Sequence, residues 1–502
     1  MTSSLTHRRP VESRPADPQS THLDTRRPVA RWVRWSVLAV VLVAGLLARW
    51  YFLDRETMDY QNFLSRWYDT LDSGGFGAFR EQFADYNYPY LYLIWLLTVV
   101  NVPSLVGIKA LSIIFDVVLA VCAYRIVGLR TERFLLRASA FGVVFLLPSA
   151  ILNSAWWGQA DAIYTACVLA GLYFLLRAQS GGARRGDPRH RAYVWNSLIA
   201  CACFGLALGF KLQAIFVFPV LLWLLVRRRL PWYTLAAIPA VYLLLDVPAV
   251  LAGASWSTAL SVYVNQTDSY KQLTLGAANL YQLIPISGDA TWLAHLGIAL
   301  AVGVVLAFLG WSLWKKPAVT PASLLVVATA SAAIVPFLLP AMHDRYFYTV
   351  EILSVVAAFF LPLWFVAIPV LIQASAIGIY HSSLTGEQGR AMGSGAEQGL
   401  AGQHGSAGQR GAPEHAGPAS GVTRPGVFGG PRGADGADHP AGRAQGIHGG
   451  QDGSGGYTSG RGDTALTVYA SFLAAAVAGL IYSIIRIVGS GVHRTFAPGS
   501  GT

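Results

Sequence analysis

Acidic side chains are concentrated in one short stretch of a chain that is otherwise poor in charge. Between positions 54 and 85 there are three arginines and seven acids, which are Asp54, Glu56, Asp59, Asp69, Asp72, Glu81 and Asp85. A positioned carboxylate can act as a general base and take the proton from a hydroxyl nucleophile. Asp59 is the leading candidate because it lies a few residues beyond the first apolar segment. The alternative for each acid is a solvated loop residue without a catalytic role.

A second group of polar residues contains cations that suit a phosphate. His343, Asp344 and Arg345 follow an apolar segment that ends near Pro340. A guanidinium binds two phosphate oxygens at once, whereas Lys211, which interrupts apolar sequence, can meet an anionic headgroup. Arg345, His343 and Lys211 are therefore candidate phosphate ligands. The alternatives are an Arg345–Asp344 pair and side chains that extend to the membrane surface.

A third polar segment, 153–161, reads Asn-Ser-Ala-Trp-Trp-Gly-Gln-Ala-Asp and precedes an apolar run. Tryptophan rings stack on the apolar faces of sugars, although adjacent tryptophans at a membrane interface are ordinarily belt residues. Its last acid is expected to bind sugar hydroxyls, to hold a metal or to cap the next helix. The need for a divalent metal stays open. The candidate sugar or acceptor ligands are Asn153, Trp156, Trp157, Gln159, Asp161, Asp85 and Tyr88.

The composition around these residues is that of a helical membrane protein. Hydrophobic residues make up 54% of the chain and charged residues only 13%, whereas a soluble domain carries about 25% charge. Apolar runs long enough to cross a bilayer recur, and they lack the alternation of barrel strands. The net charge of +11 comes from basic residues in short loops beside these runs, which is typical of membrane topology. No nucleic-acid partner is expected.

The apolar runs predict an all-α polytopic protein with eleven or twelve transmembrane helices. Their expected bounds are about 32–53, 104–126, 134–152, 160–177, 194–210, 214–226, 232–252, 292–314, 320–341, one or two helices within 346–380, and 464–488. The run 88–101 is short for a crossing and is expected to be an interfacial helix in an external loop, 54–103. The basic loops then share one side, which puts the N-terminus in the cytoplasm and the polar clusters outside.

Three regions are predicted to lie outside the membrane domain of 32–380 and the final helix of 464–488. Residues 1–31 and 489–502 are expected to be tails, the first disordered and cytoplasmic. Residues 381–463 are expected to be a disordered insertion, because they hold about half of the 51 glycines and almost no aromatic residues. A translation of GC-rich DNA in the wrong frame is the alternative for this segment.

Four motifs, in order, resemble those of bacterial integral-membrane mannosyltransferases related to the second mannosyltransferase of GPI-anchor synthesis. They lie within about 50–380 and are Asp59 with Phe63 and Trp67 followed by 85–93, then 153–161, Lys211-Leu212-Gln213, and His343-Asp344-Arg345-Tyr346-Phe347. Two positions depart from the family pattern. Tyr90 stands where a second proline is usual, and Asp344 stands where glutamate is frequent.

The resemblance implies the GT-C glycosyltransferase fold and a polyprenyl-phosphate sugar donor, usually of mannose. It also implies a catalytic carboxylate in the first outer loop, which corresponds to Asp59. The predicted activity is an inverting transfer of one hexose to a lipid or glycan acceptor, outside a bacterial cytoplasmic membrane whose lipids surround the protein. No nucleotide-binding motif is present, which agrees with a donor already in the membrane. The alternatives are a transporter or flippase of lipid-linked sugars and a ligase of whole oligosaccharides.

Overall fold

The chain folds almost entirely into helices. The computed structural model describes residues 30–180, 188–268, 270–386 and 456–489, with only the backbone of 264–268. Within these ranges nine helices are long and apolar enough to cross a membrane, and a tenth is counted if a pair bent by 46° forms one span. The chain is therefore an integral membrane protein of the all-α class, as the apolar runs predict.

The elements follow each other along the chain with short connections. The α-helices are α1 (Arg31–Trp50), α2 (Ser65–Gly74), α3 (Tyr88–Val99), α4 (Ser104–Gly128), α5 (Phe134–Phe145), α6 (Pro148–Ile151), α7 (Asp161–Gln179), α8 (His190–Phe210), α9 (Pro219–Val226), α10 (Ala237–Leu251), α11 (Trp256–Asp268), α12 (Thr291–Lys315), α13 (Pro321–Leu338), α14 (Tyr348–Ala358), α15 (Ala367–Leu384) and α16 (Thr464–Ser483). Short π- or 3₁₀-helical turns occur at Tyr60–Leu64, Gly75–Arg80, Leu152–Trp157, Leu212–Val217, Trp232–Ala236, Leu280–Gln282, Leu363–Val366 and Ile484–Val488.

Two of the predicted crossings are short helices. The run predicted at 214–226 is the apolar helix Leu212–Val226, and the run 346–380 is divided at Pro362 into α14, of 11 residues, and the helix Leu363–Leu384. Eleven residues of α-helix rise about 16 Å, whereas the hydrocarbon layer is about 30 Å thick. The described residues thus contain nine or ten helices that are long and apolar enough to cross, against the expected eleven or twelve.

The segment predicted as a helical external loop, 54–103, does contain helices. α2 and the 3₁₀ turn Gly75–Arg80 lead into α3, an apolar helix of 12 residues that corresponds to the run 88–101. Pro89 stands in the first turn of α3, where its missing N–H has no intrahelical role. The helix is buried against the rest of the bundle through side chains such as Tyr90 and Ile94.

α7 and α13 form the centre of the bundle, and α1 lies at its edge. In α7 and in α13, 78% of the apolar 18-residue stretch that could cross a membrane is buried inside the protein, against 6% in α1. Small residues allow the central helices to approach closely. A Cβ atom on Gly171 in α7 would lie 2.8 Å from the ring of Phe204 in α8, so this contact requires glycine.

The boundaries of the predicted insertion, 381–463, differ in the structure. α15 continues to Leu384, and residues 456–463 pack on the loop that follows α11. Leu273 N–H donates to Thr458 O at 2.8 Å, and Thr458 N–H donates to Lys271 O at 2.9 Å. Backbone pairing thus orders the end of a glycine-rich segment that composition assigns to disorder. Residues 1–29, 387–455 and 490–502 lie outside the described part of the chain.

The same loop contacts the histidine motif through the strands β1 (Thr274–Leu275) and β2 (Met342–His343). These strands are parallel, with Leu275 opposite His343. Ala341 N–H adds a hydrogen bond of 3.1 Å to the backbone oxygen of Gln272. The segment between α13 and α14 is therefore fixed at the end of the bundle, beside the start of the 54–103 segment.

Candidate active site at one end of the bundle

Asp59 lies at the centre of a polar pocket formed by distant parts of the chain. Trp157 Nε1 donates to Asp59 Oδ2 at 3.0 Å, Gln159 Nε2 at 2.6 Å and Arg345 Nη1 at 3.0 Å. In the part of the chain that the structure describes, no donor reaches the other oxygen, Oδ1. The Asp59 side chain is 29% exposed and that of Arg345 is 16% exposed. The pocket therefore presents a carboxylate with one committed and one available oxygen.

A glycine turn directs two of these donors at the same carboxylate. Gly158 has φ +75° and ψ 32°, in the left-handed region that favours glycine. It follows the π-helical turn Leu152–Trp157, and Gln159 N–H donates back to Asn153 O at 3.1 Å. This sharp turn brings the side chains of Trp157 and Gln159 to the same oxygen of Asp59.

Arg345 is the permanent positive charge of the pocket. Burial alone would lower its pKa, but the carboxylate of Asp59, with Tyr86 and Asp344, raises the pKa well above its usual range. Its guanidinium also lies 5.5 Å from the ring of Trp157 and 3.8 Å from Asp344. Within the described residues its buried Nε has no hydrogen-bond partner. Arg345 therefore keeps one buried donor that no described side chain satisfies.

Asp344, whose side chain is 12% exposed, binds a helix that follows it in the chain. Ser383 Oγ in α15 donates to Asp344 Oδ2 at 2.6 Å. Burial raises the pKa of Asp344 to about 6, although the charge of Arg345 opposes that rise. The motif is thereby attached to α15 as well as to β1.

Lys211 pairs with Asp161 instead of facing an open pocket. Lys211 Nζ donates to Asp161 Oδ1 at 2.5 Å, and Asn153 Nδ2 donates to the other oxygen at 2.9 Å. The two charged side chains are 5% and 1% exposed. Lys211 also lies 5.3 Å from the centre of the Tyr86 ring. Its expected role as a direct phosphate ligand does not follow from this geometry, because its charge is already paired.

The same two contacts engage both carboxylate oxygens of Asp161, for which three roles were expected. Asp161 is the first residue of α7, but no side-chain cap hydrogen bond forms at this helix end. Its two oxygens bind Lys211 and Asn153, so they do not suit a metal ion without rearrangement. No group of three or more metal-ligating side chains occurs among the residues described here.

His343 is enclosed by aromatic rings at the edge of the pocket. Tyr270 lies 4.9 Å and Tyr346 5.1 Å from its ring centre. Burial, helped by the positive charge of Arg345, lowers the pKa of His343 to about 3. At neutral pH this histidine is uncharged, so it can donate a hydrogen bond but adds no positive charge.

Three of the predicted sugar or acceptor ligands form no hydrogen bond with Asp59 in the part of the chain that the structure describes. The Trp156 ring stacks on Phe52 at 5.1 Å and therefore faces the end of α1. Tyr88 is buried, and its ring packs at 6.3 Å against that of Tyr92. Asp85 is exposed. Burial raises the pKa of Tyr270, and the negative charge of Asp85 adds to that rise. Trp157 and Gln159 bind Asp59, and Asn153 connects the buried Asp161 to the backbone of Gln159.

Sequence reasoning missed the tyrosines that surround the two cations. The ring of Tyr86 contacts Lys211. Tyr88, which was the predicted ligand, packs on a different neighbour. Tyr86 packs on Tyr90 at 5.1 Å, while Tyr88 pairs with Tyr92. The spacing of four between partners was the signal that separates these two pairs. Tyr270 lies in the loop before β1 and carries no such signal.

A scan of protein-family models and searches of curated proteins and solved structures found no match to this chain. The fold and the site together describe a polytopic helical membrane protein in which a carboxylate and an arginine meet at one end of the bundle. The resemblance to mannosyltransferases remains a prediction from the four motifs.

Proposed function

We propose that the protein is a glycosyltransferase that moves one hexose, with mannose expected, from a polyprenyl phosphate to a lipid or glycan hydroxyl at the extracytoplasmic face. The observation that carries this proposal is the contact between Asp59 and Arg345, which are 286 residues apart, in a partly open pocket. A carboxylate can take the hydroxyl proton, and a guanidinium can hold the phosphate that leaves.

The reaction is a single displacement. The acceptor oxygen forms a bond to the anomeric carbon, and Asp59 takes the proton of that hydroxyl. The bond from this carbon to the phosphate oxygen breaks, and the phosphate keeps the electron pair. One displacement inverts the configuration, and a fixed positive charge in a poorly solvated site stabilises the leaving phosphate.

The ion pair makes donor binding and base activation one event. Arg345 is bound to Asp59 Oδ2. A donor phosphate competes with Asp59 for the guanidinium. Asp59 then loses its strongest donor and becomes the better proton acceptor. His343, uncharged at neutral pH, serves as a hydrogen-bond donor to the same phosphate.

The buried pair Lys211–Asp161 acts as a wall of the sugar site under this proposal. It is linked through Asn153 to the turn that carries Gln159. Lys211 therefore supports the sugar side of the pocket indirectly, and the phosphate is assigned to Arg345 and His343.

The test is transfer of radiolabelled mannose from polyprenyl-phosphate mannose in membranes that contain the protein. We expect Asp59→Asn to lower the rate by about 10²- to 10⁴-fold, the usual contribution of a general base. Asp69→Asn is the matched control, because Asp69 is an exposed acid of the same segment in α2. Full activity of a folded Asp59→Asn protein would refute the base assignment. Movement of intact donor lipid without transfer would favour a transporter.

A further inference from the structure

Helix α4 carries three polar residues on one buried face. Lys109, Ser112 and Asp116 are 1%, 0% and 1% exposed. Spacings of three and four residues place them in a row along the same side of a helix. Polar groups in an apolar membrane helix are costly unless they have partners, so their contacts indicate what the row is for.

Lys109 binds the chain just before the proposed base. Its Nζ donates to the backbone oxygens of Phe52 at 2.8 Å, Leu53 at 3.2 Å and Arg55 at 2.5 Å. Carbonyls at the end of a helix lack intrahelical donors, and a cation there also meets the negative end of the helix dipole. Lys109 therefore fixes the exit of α1, four residues before Asp59.

Ser112 binds the turn that supplies two donors to Asp59. Its Oγ donates to the backbone oxygen of Gln159 at 2.6 Å. A Cβ atom on Gly158 would lie 3.3 Å from Lys109 Cγ, so the turn also packs closely on the lysine side chain. One face of α4 thus sets the position of the turn relative to the segment of Asp59.

Asp116 binds the helix that follows Arg345. Its Oδ1 accepts from Tyr348 OH at 3.3 Å, and Tyr348 N–H donates to the backbone oxygen of Arg345 at 3.1 Å. Its Oδ2 accepts from Arg49 Nη2 at 2.7 Å, which attaches the same point to α1.

We propose that Lys109, Ser112 and Asp116 are positioning residues, which together hold the three segments that meet at Asp59 Oδ2 in register. This inference rests on the proposed function for its catalytic meaning. None of the three contacts the pocket oxygen directly, and each acts through a backbone or a tyrosine. Their shared helix keeps the carboxylate, the turn and the arginine at fixed separations.

The first test compares two buried serines. Ser112→Ala removes the bond to Gln159, and Ser312→Ala removes a bond of 2.8 Å from Trp223 Nε1 in a distant part of the bundle. Both serines are 0% exposed. We expect Ser112→Ala to lower kcat about ten-fold with little change in the donor KM, because small misplacements of reacting groups are costly. An equal effect of the two variants would overturn the inference.

The second test uses conservative rescue at Lys109. Lys109→Met removes the side-chain donor that joins the carbonyls of Phe52, Leu53 and Arg55, and within the described residues leaves only Phe52 O with a backbone donor, the N–H of Arg55. We expect a larger loss of kcat than for Ser112→Ala. Lys109→Arg keeps a donating cation, so it should recover part of that loss. If methionine and arginine are equivalent at matched thermal stability, Lys109 has no positioning role.

A third measurement does not depend on sugar transfer. In a chain whose four native cysteines are replaced, Asp59→Cys and Gln159→Cys are bridged by a short thiol-reactive cross-linker. The cross-link should form readily when Ser112 and Lys109 are present, and several-fold less in the Ser112→Ala, Lys109→Met background. The Ser312→Ala background should cross-link normally. Unchanged yields would overturn the inference, whereas an inactive native protein with the expected yields would overturn only the proposed function.

Discussion

Two arginine–aspartate pairs in this protein have opposite settings. Asp59 and Arg345 are 29% and 16% exposed, and only one oxygen of Asp59 is engaged. The side chains of Arg49 and Asp116 are 1% and 0% exposed. Both oxygens of Asp116 have partners, and the guanidinium of Arg49 lies 4.3 Å from the ring of Phe145. The first pair can exchange partners, whereas the second is closed inside the bundle.

The difference separates stability from activity. Removing one member of a buried pair leaves an uncompensated charge in a medium that solvates it poorly. Removing one member of a partly exposed pair leaves a charge that water reaches more easily, so we expect a smaller loss of stability. We therefore expect substitutions in the closed pair to lower mainly the stability of the fold, and substitutions in the open pair to lower mainly the activity.

The largest expected effect is on folding. Asp116→Asn should lower the free energy of unfolding by about 3–5 kcal/mol, because Arg49 stays charged and buried. Asp59→Asn should lower it by less than Asp116→Asn does, because the Asp59–Arg345 pair is partly exposed. Denaturation of both variants in the same detergent measures the contrast. The double variant Arg49→Met, Asp116→Leu should regain stability, and an Asp116→Asn protein as stable as Asp59→Asn would remove the distinction.

The second effect is on donor binding at the open pair. Arg345→Ala should raise the donor KM about 10- to 100-fold, since charge-assisted hydrogen bonds to the phosphate are lost. Arg345→Lys should recover only part, because an ammonium cannot reproduce the planar two-oxygen contact. Initial rates over a range of polyprenyl-phosphate sugar give both values. A donor KM that is unchanged in Arg345→Ala would place the phosphate elsewhere.

The sequence predicts the class and the membership of the site better than its contacts. Apolar runs are local, so the helices and the division near Pro362 follow from composition. The convergence of Asp59 and Arg345 follows from placing polar segments on one side of the membrane. Their direct contact, and the pairing of Lys211 with Asp161, depend on packing between segments 50 to 286 residues apart. No spacing rule carries that information.

Two further differences between the sequence-based predictions and the structure have local causes that composition does not show. The order at 456–463 comes from backbone hydrogen bonds to the loop after α11, which a glycine-rich chain can form as well as any other. The two tryptophans, assigned together to the sugar or acceptor site, have different partners: Trp157 ends a π-helical turn and donates to Asp59, while Trp156 stacks on Phe52. A change in helical pitch alters which side chains share a face.

A third prediction uses pH to probe the edge of the open pocket. The pKa of His343 is about 3 in the folded protein against 6.5 in an unfolded chain. Between these values the unfolded state binds a proton that the folded state does not, so stability falls as pH is lowered from about 6.5. His343→Gln should lose less stability over this range. Thermal unfolding of both proteins at pH 7, 6 and 5 gives the comparison.

The titration of Asp344 changes stability with pH in the opposite direction, so its contribution must be subtracted. Its pKa is about 6 when folded against 3.8 unfolded, so burying its charge costs stability above pH 6 and this cost disappears as pH falls. The quantity to follow is therefore the difference between the native protein and His343→Gln at each pH, in which Asp344 is common to both. A difference that does not change with pH would mean that His343 is exposed to water.

The smallest expected effect distinguishes two adjacent side chains. Trp157→Phe keeps an aromatic ring against Tyr380 but removes the N–H that donates to Asp59, so kcat should fall by about three- to ten-fold, as for one hydrogen bond. Trp156→Phe keeps the stack on Phe52 and should change kcat by about two-fold or less. Equal losses would mean that both rings serve the site as belt or sugar-stacking residues. A loss confined to Trp157→Phe would mean that the open pair depends on a donor aimed by the Gly158 turn, in contrast to the closed pair, whose partners lie on regular helices.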